Sequence, residues 1–189
     1  MIRNDISITD YTMEESKMIK AIYAGTFDPI TNGHMDIINR SMQFCTKLVV
    51  AIGMSSKKTM FTEEERVKQI NKAVDKGVEF LRSTNIEVAV YQGLTVEYAK
   101  QIGAKILVRG IRSVSDFEYE IGLANINKVL APDIETVFLP TSPELAVVSS
   151  SMVKEIARMG GDVSRFAPAH VVSAVNAQFG FTKTGNPEK

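Results

Sequence analysis

The sequence predicts an α/β fold, a doubly wound parallel sheet of five strands. Five short apolar segments recur along the 189 residues, and segments with helical spacing of apolar residues separate them. This alternation is typical of parallel strands joined by right-handed crossovers through helices. The predicted strands are 19–24, 47–53, 86–91, 104–110 and 135–140.

Apolar spacing and capping residues predict the helices between the strands. The first carries Met35, Ile38, Met42 and Cys45 on one face. The second covers about 62–82, with a capping box of Thr62 and Glu65 and a break near Gly77, and the third ends at Gly103. The others begin at a second capping box, Ser115 with Glu118, at the serines 149–151, and with Pro168 in a first turn.

Length and composition predict one domain, residues 18–182, between an N-terminal extension, 1–17, and a tail, 183–189. The formal net charge is +0, which gives no reason to expect a nucleic acid or a membrane surface as partner. Cys45 is the only cysteine, so an intrachain disulfide and a Cys-rich metal site are excluded. With no signal peptide and no long apolar segment, we expect a soluble, cytoplasmic protein.

Ligands of a doubly wound sheet bind at the carboxyl ends of its strands. The segments that follow the five predicted strands are GTFDPITNGH, MSSKKTMF, QGLT, RGIRSVSD and PTSPELAVVSSS. Hydroxyls, cations and backbone amides at helix starts hold phosphate oxygens, and these segments are rich in all three. They predict a phosphate or nucleotide site.

Each of these residues also has a simpler interpretation. Gly25 and Gly33 fit ordinary turns, His34 a helix cap, and Lys57 with Lys58 a solvated pair. Arg109 and Arg112 have possible ion-pair partners nearby in Asp116, Glu118 and Glu120. The three serines fit alternative N-caps. A shared site is favoured because all of these segments follow strands that end at the same edge.

Several enzyme classes lack support. The sequence has no GxSxG elbow, and His170, the only other histidine, has no evident acidic partner, which argues against a nucleophilic triad. The GxxxxGK[ST] loop of P-loop enzymes and the GxGxxG turn of dinucleotide-binding dehydrogenases are missing. What remains is catalysis by positioning the substrates and stabilising charge in the transition state.

GTFDP followed by TNGH resembles the (H/T)xGH signature of nucleotidyltransferases that share a fold with class I aminoacyl-tRNA synthetases. Three further segments, SSKKTMFTEEER, RGIRSVSDFEYE and SSSMVKEIA, together resemble the phosphopantetheine adenylyltransferase family. The resemblance covers about residues 19–175 and implies a Rossmann-like nucleotidyltransferase fold.

The resemblance implies reversible transfer of the adenylyl group of ATP to 4'-phosphopantetheine, giving dephospho-coenzyme A and pyrophosphate. The attack is in line, without a covalent enzyme intermediate. It also implies Mg²⁺ as a counter-ion without dedicated protein ligands, a homohexamer, and coenzyme A as a feedback inhibitor.

The family's functional residues map onto this sequence as follows. The catalytic residues implied are His34, Thr26, Lys57 and Arg109. The ATP-binding residues implied are Thr26, Phe27, His34, Gly110, Ile111, Arg112, Glu120, Leu145, Ala146, Val147, Val148, Ser149, Ser150 and Ser151. The residues implied for the acceptor are Thr26, Lys57, Thr95 and Arg109.

The sequence departs from the family pattern at three places. Leu145 stands where many members have an aromatic residue, Ala24 replaces a frequent proline, and the stretch 61–94 is longer than usual. Four other readings remain open: a cytidylyltransferase that makes a CDP-alcohol, a nicotinamide mononucleotide adenylyltransferase, a nucleotide-binding module without catalysis, and a tRNA synthetase fragment.

Overall fold

The computed structural model describes residues 18–54, 58–78 and 85–181. They contain one sheet of five parallel strands. The strands are β1 (Lys20–Gly25), β2 (Lys47–Gly53), β3 (Ile86–Tyr91), β4 (Ile106–Ile111) and β5 (Glu135–Pro140). The predicted fold class is confirmed, and each strand lies within two residues of its predicted bounds. The predicted extension 1–17 and tail 183–189 lie outside the described residues.

Helices separate the strands. They are α1 (Asn32–Ser41), α2 (Glu63–Gly77), α3 (Thr95–Gln101), α4 (Val114–Leu130), α5 (Ser150–Arg158) and α6 (Ala169–Gln178). A short 3₁₀ helix, Pro143–Leu145, which was not predicted, lies between β5 and α5.

The strand order is β3-β2-β1-β4-β5. From β1 the chain moves outward to β3 and then returns to the other side of β1 as β4, so that Tyr23 pairs with both Val50 and Val108. The loops that follow β1 and β4 therefore leave the sheet beside the point where the strand order reverses. In this type of sheet that point opens a crevice for ligands.

Alternate residues of the central strands face opposite layers. Ala21 and Tyr23 of β1 belong to the larger core, which also takes residues from α1, α2, α5 and α6. Ile22 and Ala24 belong to the smaller core, to which α3 contributes Val96. Ile22 is fully buried, and burial of such a side chain stabilises the fold by about 1.5–3 kcal/mol.

The predicted capping box of α2 is confirmed. The Glu65 N–H donates to the Thr62 hydroxyl across 3.2 Å, and the Thr62 N–H donates to the Glu65 carboxylate across 2.8 Å. The predicted break near Gly77 is confirmed, because the helix ends at Gly77 and the backbone of Val78 is extended. The remainder of the predicted helix includes residues 79–82, which lie outside the described residues.

Two predicted helix starts are wrong in detail. The hydroxyl that caps α4 belongs to Ser113, which accepts the Asp116 N–H across 3.2 Å, and not to Ser115. The pattern Ser-x-x-Asp at 113–116 competes with Ser-x-x-Glu at 115–118, and the earlier one begins the helix. Pro168 occupies the N-cap of α6, one position before the predicted first turn.

Candidate active site

A cavity of about 420 Å³ opens at the carboxyl ends of β1 and β4. The loops after β1, β2, β4 and β5 all contribute to its wall. Ten of the predicted site residues line it: Thr26, Phe27, His34, Arg109, Gly110, Arg112, Val148, Ser149, Ser150 and Ser151. For the segments after β1, β2, β4 and β5, the expectation that they meet at one edge of the sheet is therefore confirmed.

A second cavity, of about 220 Å³, lies beside the first. Three predicted residues line it, Thr95, Arg109 and Glu120, together with Leu123 and Asn127 of α4. Arg109 lines both cavities, so its side chain lies at the boundary between them.

Seven of the predicted residues are not among these ten, and two of the seven, Thr95 and Glu120, line the second cavity. Lys57 is outside the described residues, whereas its neighbour Lys58 lines the first cavity. Glu120 lines the second cavity and not the first. Four further predicted residues line neither cavity: Ile111, Leu145, Ala146 and Val147. Of these, Val147 is 63% exposed.

His34 takes part in the cap of α1. The Thr31 N–H donates to its Nδ1 across 3.0 Å, and the His34 N–H donates to the Thr31 hydroxyl across 3.3 Å. In this capping box a histidine occupies the position that Glu or Gln usually has. Because Nδ1 accepts a hydrogen bond, the neutral ring carries its proton on Nε2. The opposite edge of the ring therefore offers an N–H to the cavity that His34 lines.

The surroundings of His34 keep the imidazole neutral. The Phe27 ring meets it edge-on with centroids 5.0 Å apart, and the centroid of the Tyr23 ring lies 6.4 Å from that of His34. Burial, together with the positive charge of Arg112, lowers the pKa of His34 to about 4. Near neutral pH this side chain is a hydrogen-bond donor without a charge.

The loop after β1 has a tightly determined shape. Phe27 has a φ of 48°, in the left-handed region that is uncommon for residues other than glycine. Its ring packs over Gly25, where an added Cβ would lie 3.0 Å from the Phe27 Cζ. The exposed side chain of Thr26 stands between them at the rim of the cavity. A larger residue at position 25 would therefore have to displace the Phe27 ring that folds back over it.

Both arginines that follow β4 are ion-paired, as the simpler interpretation of the sequence held. Arg109 forms a two-pronged pair with Glu120, with 2.7 Å from Nε to Oε2, and donates from Nη1 to the Ala24 carbonyl across 3.0 Å. Arg112 pairs with Asp116 across 2.9 Å. Both nevertheless line the first cavity, so pairing orients them without withdrawing them from it.

The serines at the start of α5 have different contacts. The Ser149 hydroxyl accepts the Met152 N–H across 3.1 Å, which confirms the N-cap interpretation for this residue. The Ser150 hydroxyl donates to the Pro29 carbonyl across 2.7 Å and so ties α5 to the loop after β1. Ser151 is exposed at the cavity wall. The first amides of α5 add the positive end of a helix to the site.

Sequence reasoning missed several cavity residues that carry polar groups, among them Tyr23, Asp28 and Lys154. Burial raises the pKa of the Tyr23 hydroxyl above its ordinary value, so it stays protonated. Lys154 lies four residues after Ser150, and this helical spacing was a usable signal that it faces the same cavity. Asp28 lies inside the GTFDP motif itself, and its partners are described below.

Within the described ranges, no group of three or more His, Cys, Asp or Glu side chains is arranged to hold a metal ion. None of the described helices combines the length and apolar character needed to cross a membrane.

Comparison with known proteins places the chain in a family. Residues 22–156 match the family model described as Cytidylyltransferase-like. A phosphopantetheine adenylyltransferase of Synechococcus elongatus is 48% identical over 162 residues, which cover 85% of this chain and 94% of that protein. One of Desulfitobacterium hafniense is 43% identical over 160 residues, which cover 84% and 94%.

Solved structures with the same fold are more distant in sequence. A putative nicotinate-nucleotide adenylyltransferase from Vibrio parahaemolyticus aligns with a TM-score of 0.61 at 16% identity, over 84% of this chain and 99% of that one. A Plasmodium falciparum nicotinic acid mononucleotide adenylyltransferase gives 0.60 at 14% identity, over 84% and 93%. These structures support the Rossmann-like nucleotidyltransferase fold, and the relatives confirm the resemblance read from the sequence: the chain belongs to the phosphopantetheine adenylyltransferase family of nucleotidyltransferases.

Proposed function

We propose that this protein transfers the adenylyl group of ATP to 4'-phosphopantetheine, giving dephospho-coenzyme A and pyrophosphate. The observation that carries the proposal is the neutral, Nε2-protonated His34 in one cavity with Thr26 and the first turn of α5, beside a second cavity joined to it by Arg109. The family relationship supports the choice of acceptor.

In the proposed reaction an oxygen of the 4'-phosphate attacks the α-phosphorus of ATP in line. A new P–O bond forms while the bond from the α-phosphorus to the bridging oxygen of pyrophosphate breaks. Negative charge is spread over the equatorial oxygens in the transition state, and fixed donors stabilise it. His34 Nε2–H and the Thr26 hydroxyl take this role, and Lys57, by family analogy, adds a positive charge. No covalent enzyme intermediate forms, and by microscopic reversibility the same groups serve the reverse reaction.

The two cavities suggest how the substrates divide. ATP lies in the larger one, where its phosphates face the start of α5 and Arg112. The pantetheine arm lies in the smaller one, beside Thr95, Leu123 and Asn127. The 4'-phosphate then meets Arg109 at the boundary. A guanidinium has five N–H donors, and the bonds to Glu120 and Ala24 use three of them, so two remain for phosphate oxygens.

Mg²⁺ fits this site as a partner of the phosphates. Among the described residues, Asp28 is the only carboxylate that lines the larger cavity, and Lys154 and two backbone amides already bind it. Mg²⁺ usually keeps several waters and binds substrate phosphates with few protein ligands. When bound, it would neutralise charge on the phosphate chain.

Assembly and regulation are part of the proposal. None of the side chains of α4 is buried, although Val114, Tyr119, Ile126 and Val129 are apolar and at least 58% exposed. A face of this kind supports the homohexamer that the resemblance implies.

Coenzyme A contains both an adenine nucleotide and a pantetheine arm, so it would span both cavities and inhibit. The free, buried thiol of Cys45 agrees with a reducing, cytoplasmic location.

One assay tests the proposed function. The protein is incubated with Mg²⁺ and either ATP or CTP, together with phosphopantetheine, nicotinamide mononucleotide, nicotinic acid mononucleotide or phosphocholine, and pyrophosphate release is measured. Release with ATP and phosphopantetheine alone is the expected result. Release with CTP and phosphocholine would instead identify a cytidylyltransferase, and release with either mononucleotide would identify a pyridine nucleotide enzyme.

A further inference from the structure

We propose that Tyr91 is a positioning residue for the acceptor. Its hydroxyl fixes the direction of the Thr95 hydroxyl, which then donates a hydrogen bond to an amide carbonyl of the phosphopantetheine arm. This role rests on the proposed function, because that function puts the arm in the smaller cavity, which Thr95 lines. The family resemblance implies an acceptor role for Thr95 but none for Tyr91.

The hydroxyls of Tyr91 and Thr95 are hydrogen-bonded to each other across 2.7 Å. Tyr91 is the last residue of β3, and Thr95 is the first residue of α3. Thr95 lines the smaller cavity, whereas Tyr91 lines neither cavity. The Tyr91 hydroxyl therefore reaches a ligand of the smaller cavity through Thr95.

The chemistry of the two hydroxyls gives this bond a direction. A tyrosine hydroxyl has an ordinary pKa of about 10 and is a stronger acid than an aliphatic alcohol, so Tyr91 is the better donor and the Thr95 oxygen accepts. The single proton of the Thr95 hydroxyl then stays available for a ligand. The opposite direction would use that proton within the pair and leave the Tyr91 proton outside the cavity. A chain from Tyr91 through Thr95 to a ligand oxygen uses both protons, and each bond polarises the next.

The Tyr91 side chain is itself held in place. Its ring stacks on that of Tyr98, with centroids 4.9 Å and planes 10° apart. Gly53 of β2 is its partner in the sheet, and an added Cβ at this glycine would lie 3.2 Å from the Tyr91 hydroxyl oxygen. The missing side chain at position 53 thus leaves room for the hydroxyl. Because Tyr98 follows Thr95 by about one helical turn, the ring and the hydroxyl of Tyr91 contact the same face of α3.

Capping of α3 does not account for the bond. The N-cap residue of this helix is Leu94, which makes no side-chain hydrogen bond to the first turn. A cap satisfies a free backbone N–H at the start of a helix, whereas the bond between Tyr91 and Thr95 joins two side chains. What the bond determines is the direction of the Thr95 hydroxyl.

The described wall of the smaller cavity suits an uncharged polar ligand. Its two charged side chains, Arg109 and Glu120, pair with each other. Its neutral polar side chains are those of Thr95, Asn127 and Thr136. The pantetheine arm carries amides, and an amide carbonyl that leaves water needs a donor to replace it. Loss of the directed Thr95 hydroxyl should therefore weaken the acceptor and leave ATP, in the larger cavity, unaffected.

The test measures binding of phosphopantetheine by calorimetry, and the KM of each substrate. Tyr91→Phe removes only the hydroxyl and should weaken phosphopantetheine about 3- to 10-fold, as expected for loss of one neutral hydrogen bond. Its KM should rise in parallel, whereas kcat and the KM for ATP should not change. Tyr98→Phe is the matched control, because it removes the hydroxyl of the other stacked ring and leaves the bond to Thr95 in place; the affinity should stay the same.

Variants of Thr95 test whether Tyr91 acts through it. Thr95→Val should weaken phosphopantetheine at least as much as Tyr91→Phe, and Tyr91→Phe should cause no further loss in the Thr95→Val background. Thr95→Ser keeps the hydroxyl and should retain most of the affinity. Isobutyl phosphate, a competitor without an amide, should bind all variants equally. Unchanged phosphopantetheine affinity in Tyr91→Phe, or an equal loss of affinity for isobutyl phosphate, would overturn the proposal.

Calorimetry with phosphopantetheine needs no turnover, so the two proposals can fail separately. Binding that depends on Tyr91 without release of pyrophosphate from ATP would contradict the proposed function alone. Turnover of phosphopantetheine with a KM that does not depend on Tyr91 would contradict the role of Tyr91 alone.

Discussion

The guanidinium of Arg66 donates a hydrogen bond from Nη1 to the backbone carbonyl of Thr26 across 2.8 Å. The Arg66 side chain is 1% exposed, and its carboxylate partner, Glu63, is 41% exposed. A charge is thus buried beneath the loop that carries Thr26. Hydrogen bonds to the carbonyls of Thr26 and Thr62 and to the Glu63 carboxylate offset the free-energy cost of burying it. The shape of that loop depends on a residue of α2, forty positions later in the chain.

Replacement of Arg66 by methionine should lower both stability and turnover. The Thr26 carbonyl loses its partner in a buried setting, which costs about 1–3 kcal/mol of the free energy of unfolding. Turnover per folded molecule should fall because Thr26 is no longer held. Urea denaturation and steady-state kinetics measure the two effects. The matched control is Glu63→Gln, which removes the partly exposed ion pair and should cost under about 1 kcal/mol. Equal losses in both variants would contradict this account.

Replacement of His34 by alanine should reduce kcat with little change in ATP affinity. Loss of one preorganised donor to the transition state costs about 3 kcal/mol, or roughly a hundredfold in kcat. His170→Ala is the control, because His170 binds the Gln69 carbonyl and lines neither cavity. Near-normal kcat in the His34 variant would show that another group stabilises the charge.

Stability should fall as the pH is lowered from about 6.5 towards 4. The pKa of His34 is about 4 in the folded state and near 6.5 in the unfolded chain, so only the unfolded chain takes up the proton in this interval. The contribution of neutral His34 to the free energy of unfolding is fully present above pH 6.5. Between pH 7 and pH 5 this contribution falls by about 1–2 kcal/mol.

Urea denaturation at the two pH values measures this loss, and His34→Gln should reduce it. Burial, partly opposed by the bond to Gln69, also lowers the pKa of His170, so His170→Gln gives the second contribution. If His34→Gln lost as much stability between the two pH values as the unmodified protein, folding would not lower the pKa of His34. The kcat profile should show no His34 ionisation between pH 6 and 8.

Replacement of Gly110 by alanine should destabilise the fold and distort the cavity. An added Cβ would lie 3.0 Å from Cγ1 of Ile37, which is 1% exposed and has no room to move. Overpacking of this kind costs about 1–3 kcal/mol. Gly77→Ala is the control: its Cβ would meet only the flexible end of Met35, and alanine favours a helix by up to about 1 kcal/mol. Thermal denaturation ranks the two variants, and the opposite order would contradict the steric argument.

Local patterns predicted the elements well, because all five strands are short apolar segments, β1 and β2 are largely buried, and Thr62 with Glu65 forms a cap within four residues of chain. They misplaced the start of α4, since Ser113 and Ser115 offer two similar caps and a local rule does not choose between them. The 3₁₀ helix Pro143–Leu145 is only three residues long, too short for a periodic pattern that would predict it.

The motifs predicted most of the cavity wall, but not how its residues are held. The bonds from Lys154 to Asp28 and from Arg66 to Thr26 join residues 126 and 40 positions apart, and no local pattern encodes them. The tautomer of His34 follows from its bond to the Thr31 N–H, a geometric fact rather than a compositional one. The family resemblance implies a nucleotide-binding role for Glu120, and no local pattern encodes its pairing with Arg109 at the second cavity.

The position of β1 between β2 and β4 has a consequence for folding kinetics. Ala21 pairs with Leu48 on one side and with Ile106 on the other, so closure of the second contact brings together residues 85 positions apart. Such non-local pairing slows folding. During refolding, a chain that has joined β1 to β2 already carries Thr26 and His34 but not the opposite wall of the cavity. Nucleotide binding should therefore return only in the slow phase that joins the two halves.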